Sequence, residues 1–136
     1  MRALLQEILI PVRSEADIVS ARQQGRKLAS ELGFSTSEQA LIATAISELA
    51  RNMIQYARGG EVVMGQTQEG ITRGLTVVAR DKGPGIADLP WAMGDGHSSS
   101  GGLGLGLPGS KRLMDDFAIE SNVGQGTVVT VTKWKR

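Results

Sequence analysis

RGGEVVMGQTQEGITRGLTVVARDKGPG, residues 58–85, is where the chain changes period. Within it, EVVMGQTQ (61–68) and ITRGLTVVARD (71–81) are rich in β-branched residues and flank Glu69-Gly70, which reads as a hairpin between two strands. Upstream, the period is helical. Ser35 and Glu38 form a capping signal, and a long helix runs from there to about Ala57 before Gly59-Gly60 ends it. Leu41, Ala45, Ile46, Leu49, Met53 and Tyr56 make its expected inward stripe. An earlier helix starts at Ser14, with Asp17 as the capping acid. It carries Ile18, Ala21, Arg22, Gly25, Leu28, Ala29 and Leu32 at helical spacing and stops at Gly33. LLQEILIPV (4–12) reads as a first strand ending at Pro11. Downstream of Asp81 the chain is Gly/Pro-rich to about Gly102, and a short third helix is expected from Leu105 to Asp115. FAIESN (117–122) and TVVTVTKW (127–134) close the chain as a second hairpin around Gly124-Gln125-Gly126.

Strands at both ends, helices grouped early and paired hairpins do not alternate as a doubly wound sheet does. The expected fold is α+β, a two-layer sandwich with three helices on one face of a mixed five-stranded sheet. With 136 residues the chain has the size of one domain, 1–136. It has no cysteine and one histidine, His97, which argues against disulfides, thiolate chemistry and His-based zinc sites. Fifteen basic residues face 14 acidic ones, which argues against a dedicated nucleic-acid binder. No apolar run approaches the roughly 18 residues of a membrane span, and Glu7 interrupts the N-terminal apolar stretch where a signal peptide would not. A soluble, cytoplasmic protein is expected. Glycine is 18 of 136, about twice the usual roughly 7%, and seven of the 18 lie between Gly94 and Gly109. Such a concentration suits a segment that offers bare main chain to a ligand.

Four constellations carry candidate chemistry. Glu48 and Asn52 lie four apart on the long helix and share one of its faces. A carboxylate there can act as a general base, and a carboxamide oxygen is a hard ligand of the kind Mg²⁺ accepts. Asp81-Lys82-Gly83-Pro84-Gly85 ends an apolar strand, so its carboxylate is held by the sheet beside side-chain-free backbone. Gly101-Gly102-Leu103-Gly104-Leu105-Gly106-Leu107 leads into the third helix, where successive amides can point at an anion. Gly124-Gln125-Gly126-Thr127 is a tight connection into the last strand. Two rival phosphate motifs are poor fits. Gly104 to Gly109 matches G-x-G-x-x-G, and Gly104 to Lys111 resembles a Walker A with Ser and Lys exchanged, but no strand leads into either.

Taken in order, an Asn-bearing helix, D-x-G-x-G, a glycine-rich helix start and G-x-G-T resemble the N, G1, G2 and G3 boxes of the GHKL ATPase/kinase superfamily, whose fold is the Bergerat sandwich. That resemblance spans residues 35–134 and implies ATP and Mg²⁺ as ligands. It places the metal on Asn52, the adenine amino group on Asp81, and the base pocket at Gly83, Gly85 and Ile86. Gly102, Gly104, Leu105 and Gly106 would take the phosphates, Thr127 would lie beneath the base, and Glu48 would be the catalytic base. Within the superfamily, DIVSARQQGRKLASELGF (17–34), TAISELARN (44–52) and GGLGLGLPGSKRLMDDF (101–117) look most like the stressosome switch serine/threonine kinases. This likeness implies phosphorylation of STAS-domain scaffold and antagonist proteins, and activation of a PP2C-type phosphatase by the released kinase.

Two departures qualify the resemblance. Between Ile86 and Gly101 there is no Lys or Arg, so no lid cation reaches the γ-phosphate, and Lys111 is the nearest candidate. No phosphoacceptor histidine with its helical hairpin is present, which excludes a complete histidine kinase. The alternative function is a nucleotide-gated anti-sigma factor that acts mainly by binding its partner. A dinucleotide-binding fragment is a third reading, and it would need a strand where His97-Ser98-Ser99-Ser100 stands.

Overall fold

A computed structural model describes residues 4–83 and 112–135. The elements run β1 (Leu5–Val12), α1 (Glu15–Glu31), α2 (Thr36–Ala57), β2 (Gly60–Glu69), β3 (Thr72–Asp81), β4 (Asp116–Asn122) and β5 (Gly126–Trp134). They form one five-stranded sheet in the order β1-β2-β3-β5-β4, with α1 and α2 against it.

The helix boundaries follow from local chemistry. Ser35 Oγ accepts from Glu38 N at 3.2 Å while Glu38 Oε1 accepts from Ser35 N at 3.2 Å, a complete capping box. At α1 the capping box does not form, and the acid reaches one residue further back. Asp17 Oδ2 accepts from Arg13 N at 2.9 Å, but the Ser14 side chain makes no cap bond. The end of α2 comes at Arg58, which turns left-handed (φ 63°, ψ 21°), and Gly59 N then donates back to Met53 O at 2.8 Å. This stop lets β2 begin at Gly60.

Two sequence expectations are corrected. The sheet is not mixed, because every pairing is antiparallel. The β2–β3 and β4–β5 hairpins enforce that locally, and the chain reverses three times through α1 and α2 between β1 and β2. Among the described residues two helices cover the sheet rather than three. The expected third helix, Leu105 to Asp115, lies mostly outside the described residues, and its part within them is helical at Arg112 and Leu113. Strand β1 also runs one residue past Pro11. Proline is tolerated there because β1 is an edge strand.

The core lies between the helices and one face of the sheet. Ile10, Val12, Val62, Met64, Leu75, Val77, Ala79, Val129 and Val131 alternate inward from the strands. Ile18, Ala21, Leu28 and Ala29 meet them from α1, with Ile42, Ala45, Ile46, Leu49, Ala50 and Met53 from α2. Fully burying a side chain of the Val, Leu or Ile class contributes about 1.5–3 kcal/mol, so this face dominates stability. The stripe of α2 is rotated slightly from expectation. Ile42 is buried and Leu41 is exposed, while Tyr56 is half-buried. No helix among the described residues is long and apolar enough to cross a membrane.

Candidate active site

The strand registers bring the sequence motifs to one end of the sheet. Val12 pairs with Gly60, Glu61 with Arg80, Asp81 with Thr127, and Ser121 with Thr127. Successive residues of a strand alternate between faces. Asp81 therefore shares the helix-facing side with Ala79, Thr127 with Val129, and Ser121 with Ile119. A carboxylate and two hydroxyls thus form one row across β3, β5 and β4, just past the last apolar layer of the core.

Asp81 is half-buried and fixed by its own turn. Its Oδ1 accepts from Gly83 N at 2.8 Å, which locks the rotamer and leaves Oδ2 as the acceptor for a ligand donor. Gly126 has φ +110°, a conformation side chains rarely adopt, and a Cβ on it would overlap the Asp81 carbonyl oxygen. The glycine of G-x-G-T therefore lets β5 lie against the strand end that carries the acid.

The end of α2 packs on this same corner. A Cβ on Gly83 would stand 2.5 Å from Ala57 Cβ, and one on Gly60 would stand 2.8 Å from Met53 Sδ and 3.1 Å from Asp81 Cβ. Met53 and Ala57 lie one and five positions beyond Asn52, so the helix turn bearing Asn52 lies beside the strand end bearing Asp81. Segments 29 residues apart in sequence are neighbours here.

Glu48 and Asn52 are both half-buried on α2. Four residues of helix rise about 6 Å, so the carboxylate sits one turn further from the strand ends than the carboxamide. Asn52 Nδ2 is buried and has no hydrogen-bond partner among the described residues. An unpaired buried amide costs about 1–3 kcal/mol, and the fold gains nothing visible from it. Such a carboxamide fits a ligand-binding role, and its oxygen suits Mg²⁺. Among the described residues there is no group of three or more His, Asp or Glu able to hold a metal alone.

Gly85, Ile86, Gly102, Gly104, Leu105 and Gly106 lie outside the described residues, as do Trp91, His97 and Lys111. Ser121 was not among the sequence candidates. Its hydroxyl lies 2.8 Å from Thr127 Oγ1, a contact readable only by counting the β4–β5 register back from Gly126.

Residues 11–133 match the histidine kinase-like ATPase domain. The chain is 52% identical over 127 residues to the serine/threonine-protein kinase RsbT of Bacillus subtilis, covering 93% of this chain and 96% of that protein. It is 30% identical over 118 residues to an anti-sigma F factor of Caldanaerobacter subterraneus, covering 84% of this chain and 82% of that one. Among solved structures, the RsbU and RsbW domains of a Mycobacterium tuberculosis protein superpose with a TM-score of 0.62 at 20% identity, covering 97% of this chain and 34% of that chain. The last likeness speaks to fold alone.

Proposed function

Because this chain belongs to the histidine kinase-like ATPase domain family and is an ATP-using protein serine/threonine kinase, we propose that it serves in a bacterial stress-signalling partner switch. Its substrates are STAS-domain scaffold and antagonist proteins, and on release from them it binds and activates a PP2C-type phosphatase. It works in the cytoplasm as a single domain over residues 1–136. The observation that carries this reading is the 52% identity to a serine/threonine-protein kinase over 93% of the chain. The strand-end row of Asp81 and Thr127 beside the Asn52 turn of α2 supports it from the structure.

In this reading Asp81 Oδ2 accepts from the adenine amino group, with Gly83, Gly85 and Ile86 against the ring and Thr127 beneath it. The amides around Gly102, Gly104, Leu105 and Gly106 hold the phosphates. Asn52 Oδ1 would hold Mg²⁺, which when bound neutralises charge on the phosphate oxygens. Glu48 takes the proton of the partner's Ser or Thr hydroxyl as that oxygen bonds to the γ-phosphorus. The bond from the γ-phosphorus to the β–γ bridging oxygen breaks, and ADP leaves with the electron pair. Phosphoryl transfer needs mainly positioning and charge stabilisation, and a corner that fixes Asp81 through its own turn supplies the former.

The 30% identity to an anti-sigma F factor favours a second reading, a nucleotide-gated module that holds a sigma factor. Labelled ATP incubated with the purified chain and a STAS-domain protein separates the two. We expect label on a serine or threonine of the STAS protein. Capture of a sigma factor with no label transferred would reject the kinase–STAS assignment.

A further inference from the structure

We infer that the open edge of β4 is a docking site for a protein partner, which adds an extended segment to the sheet as a further strand. That segment alternates Lys or Arg with apolar residues. The surface lies outside the four sequence motifs and does not depend on the kinase assignment.

The strand register shows which backbone groups face each edge. Lys135 N donates to Arg73 O at 2.8 Å, so the neighbouring pair, Gly74 and Trp134, does not hydrogen-bond across β3 and β5. Bonded and non-bonded pairs alternate outward from there. On β4, Ala118 and Glu120 bond to β5, and the N–H and C=O of Phe117 and Ile119 point away from it. The same count through β2 turns Leu9 and Pro11 of β1 toward the opposite edge. The two edges are built differently. On β1 the register shifts between Leu5 and Ile8, Gln6 has φ 55°, and Pro11 has no N–H to offer. A bulge and an edge proline both block strand addition. β4 has neither, because its seven residues, DFAIESN, pair with β5 in unbroken register and include no proline. Among the described residues, β5 is its single strand neighbour.

The side chains decide what this edge accepts. Phe117 and Ile119 pack against the core on the helix-facing side, so an added strand gains most from apolar residues beside them. Asp116, Ala118 and Glu120 are exposed on the other face, where Asp116 also accepts from Trp134 Nε1. The strand holds these two acids and no base. Arg80, the base in the same cross-strand row as Glu120, is held by Glu61 at 2.8 Å. A second copy of β4 would bring the same acids to the same edge. Paired about Ala118, it sets Asp116 opposite Glu120, and like charges directly opposite are destabilising. A basic segment meets both acids favourably, so the charges that reject a self-pair select the partner.

Two octapeptides serve as probes of the full chain, one alternating Lys with Val and the other Glu with Val. Amide hydrogen exchange followed by NMR gives the readout. At about ten times its Kd, the Lys–Val peptide is expected to slow exchange at Phe117 and Ile119 by roughly tenfold and to leave Leu9 unchanged. The Glu–Val peptide is expected to protect neither. Glu120→Lys, at an exposed position, should weaken Lys–Val binding by roughly fivefold. Unchanged exchange at Phe117 and Ile119 would overturn the proposal, as would equal protection at Leu9 or equal affinity for the two peptides. Protection at Phe117 and Ile119 that rises with chain concentration and needs no peptide would assign the edge to a second copy and overturn it as well.

Discussion

Glu48→Ala is expected to slow phosphoryl transfer by roughly 10²–10⁴-fold and to leave Mg-ATP binding close to wild type. The reasoning is positional. Glu48 sits one helical turn from Asn52, half-buried on α2, whose inward stripe of Ile42, Ala45, Ile46, Leu49 and Met53 clamps the helix to the sheet. A helix so clamped holds the Glu48 backbone at a fixed place, and a fixed mounting favours an efficient general base. It lies away from the Asp81 corner where the base is proposed to bind, so nucleotide affinity should be little affected. Transfer of labelled phosphate to a STAS protein measures the first quantity and calorimetry the second. A Glu48→Ala chain that transfers at a near wild-type rate would remove Glu48 from the reaction.

Asp81→Asn is expected to weaken ATP binding by roughly 10–100-fold, whether or not Mg²⁺ is present. The asparagine oxygen can still accept from Gly83 N, so the 2.8 Å turn bond and the strand end should survive. What changes is the other end of the group, where an acceptor becomes an NH₂ donor facing another donor. Losing a hydrogen bond to a charged group costs about 1.5–3 kcal/mol, which sets the size of the effect. Asn52→Ala should behave differently, with its loss of affinity seen only when Mg²⁺ is supplied. Calorimetry with and without the metal distinguishes the two. Equal Mg²⁺ dependence in both variants would mean that the two side chains do not divide base and phosphate between them.

Much of this is legible in the sequence. Local signals are strong where one residue type has one physical use. Ser35 and Glu38 cap α2 as their spacing requires, and the D-x-G and G-x-G-T stretches fall at the strand ends where the alternation stops. The phase of the α2 stripe was harder. Leu41 and Ile42 are adjacent apolar residues, and only packing against the sheet decides that Ile42 turns inward. Strand direction is likewise not a local property. Periodicity gives five strands, but β4 lying at the edge beyond β5 is decided by tertiary packing. Ser121 was missed for the same reason, because its meaning comes from the strand opposite it and not from its neighbours in sequence. The orphaned amide of Asn52 was visible only once burial was known.

The convergence of Asn52 and Asp81 on one purine nucleotide is tested most directly by a crystal structure of the chain with Mg²⁺ and a non-hydrolysable ATP analogue. The account places the adenine amino group within hydrogen-bonding distance of Asp81 Oδ2, and the metal on Asn52 Oδ1 between that residue and the phosphates. A nucleotide bound elsewhere, or one seated at Asp81 with its phosphates directed away from α2, would contradict it.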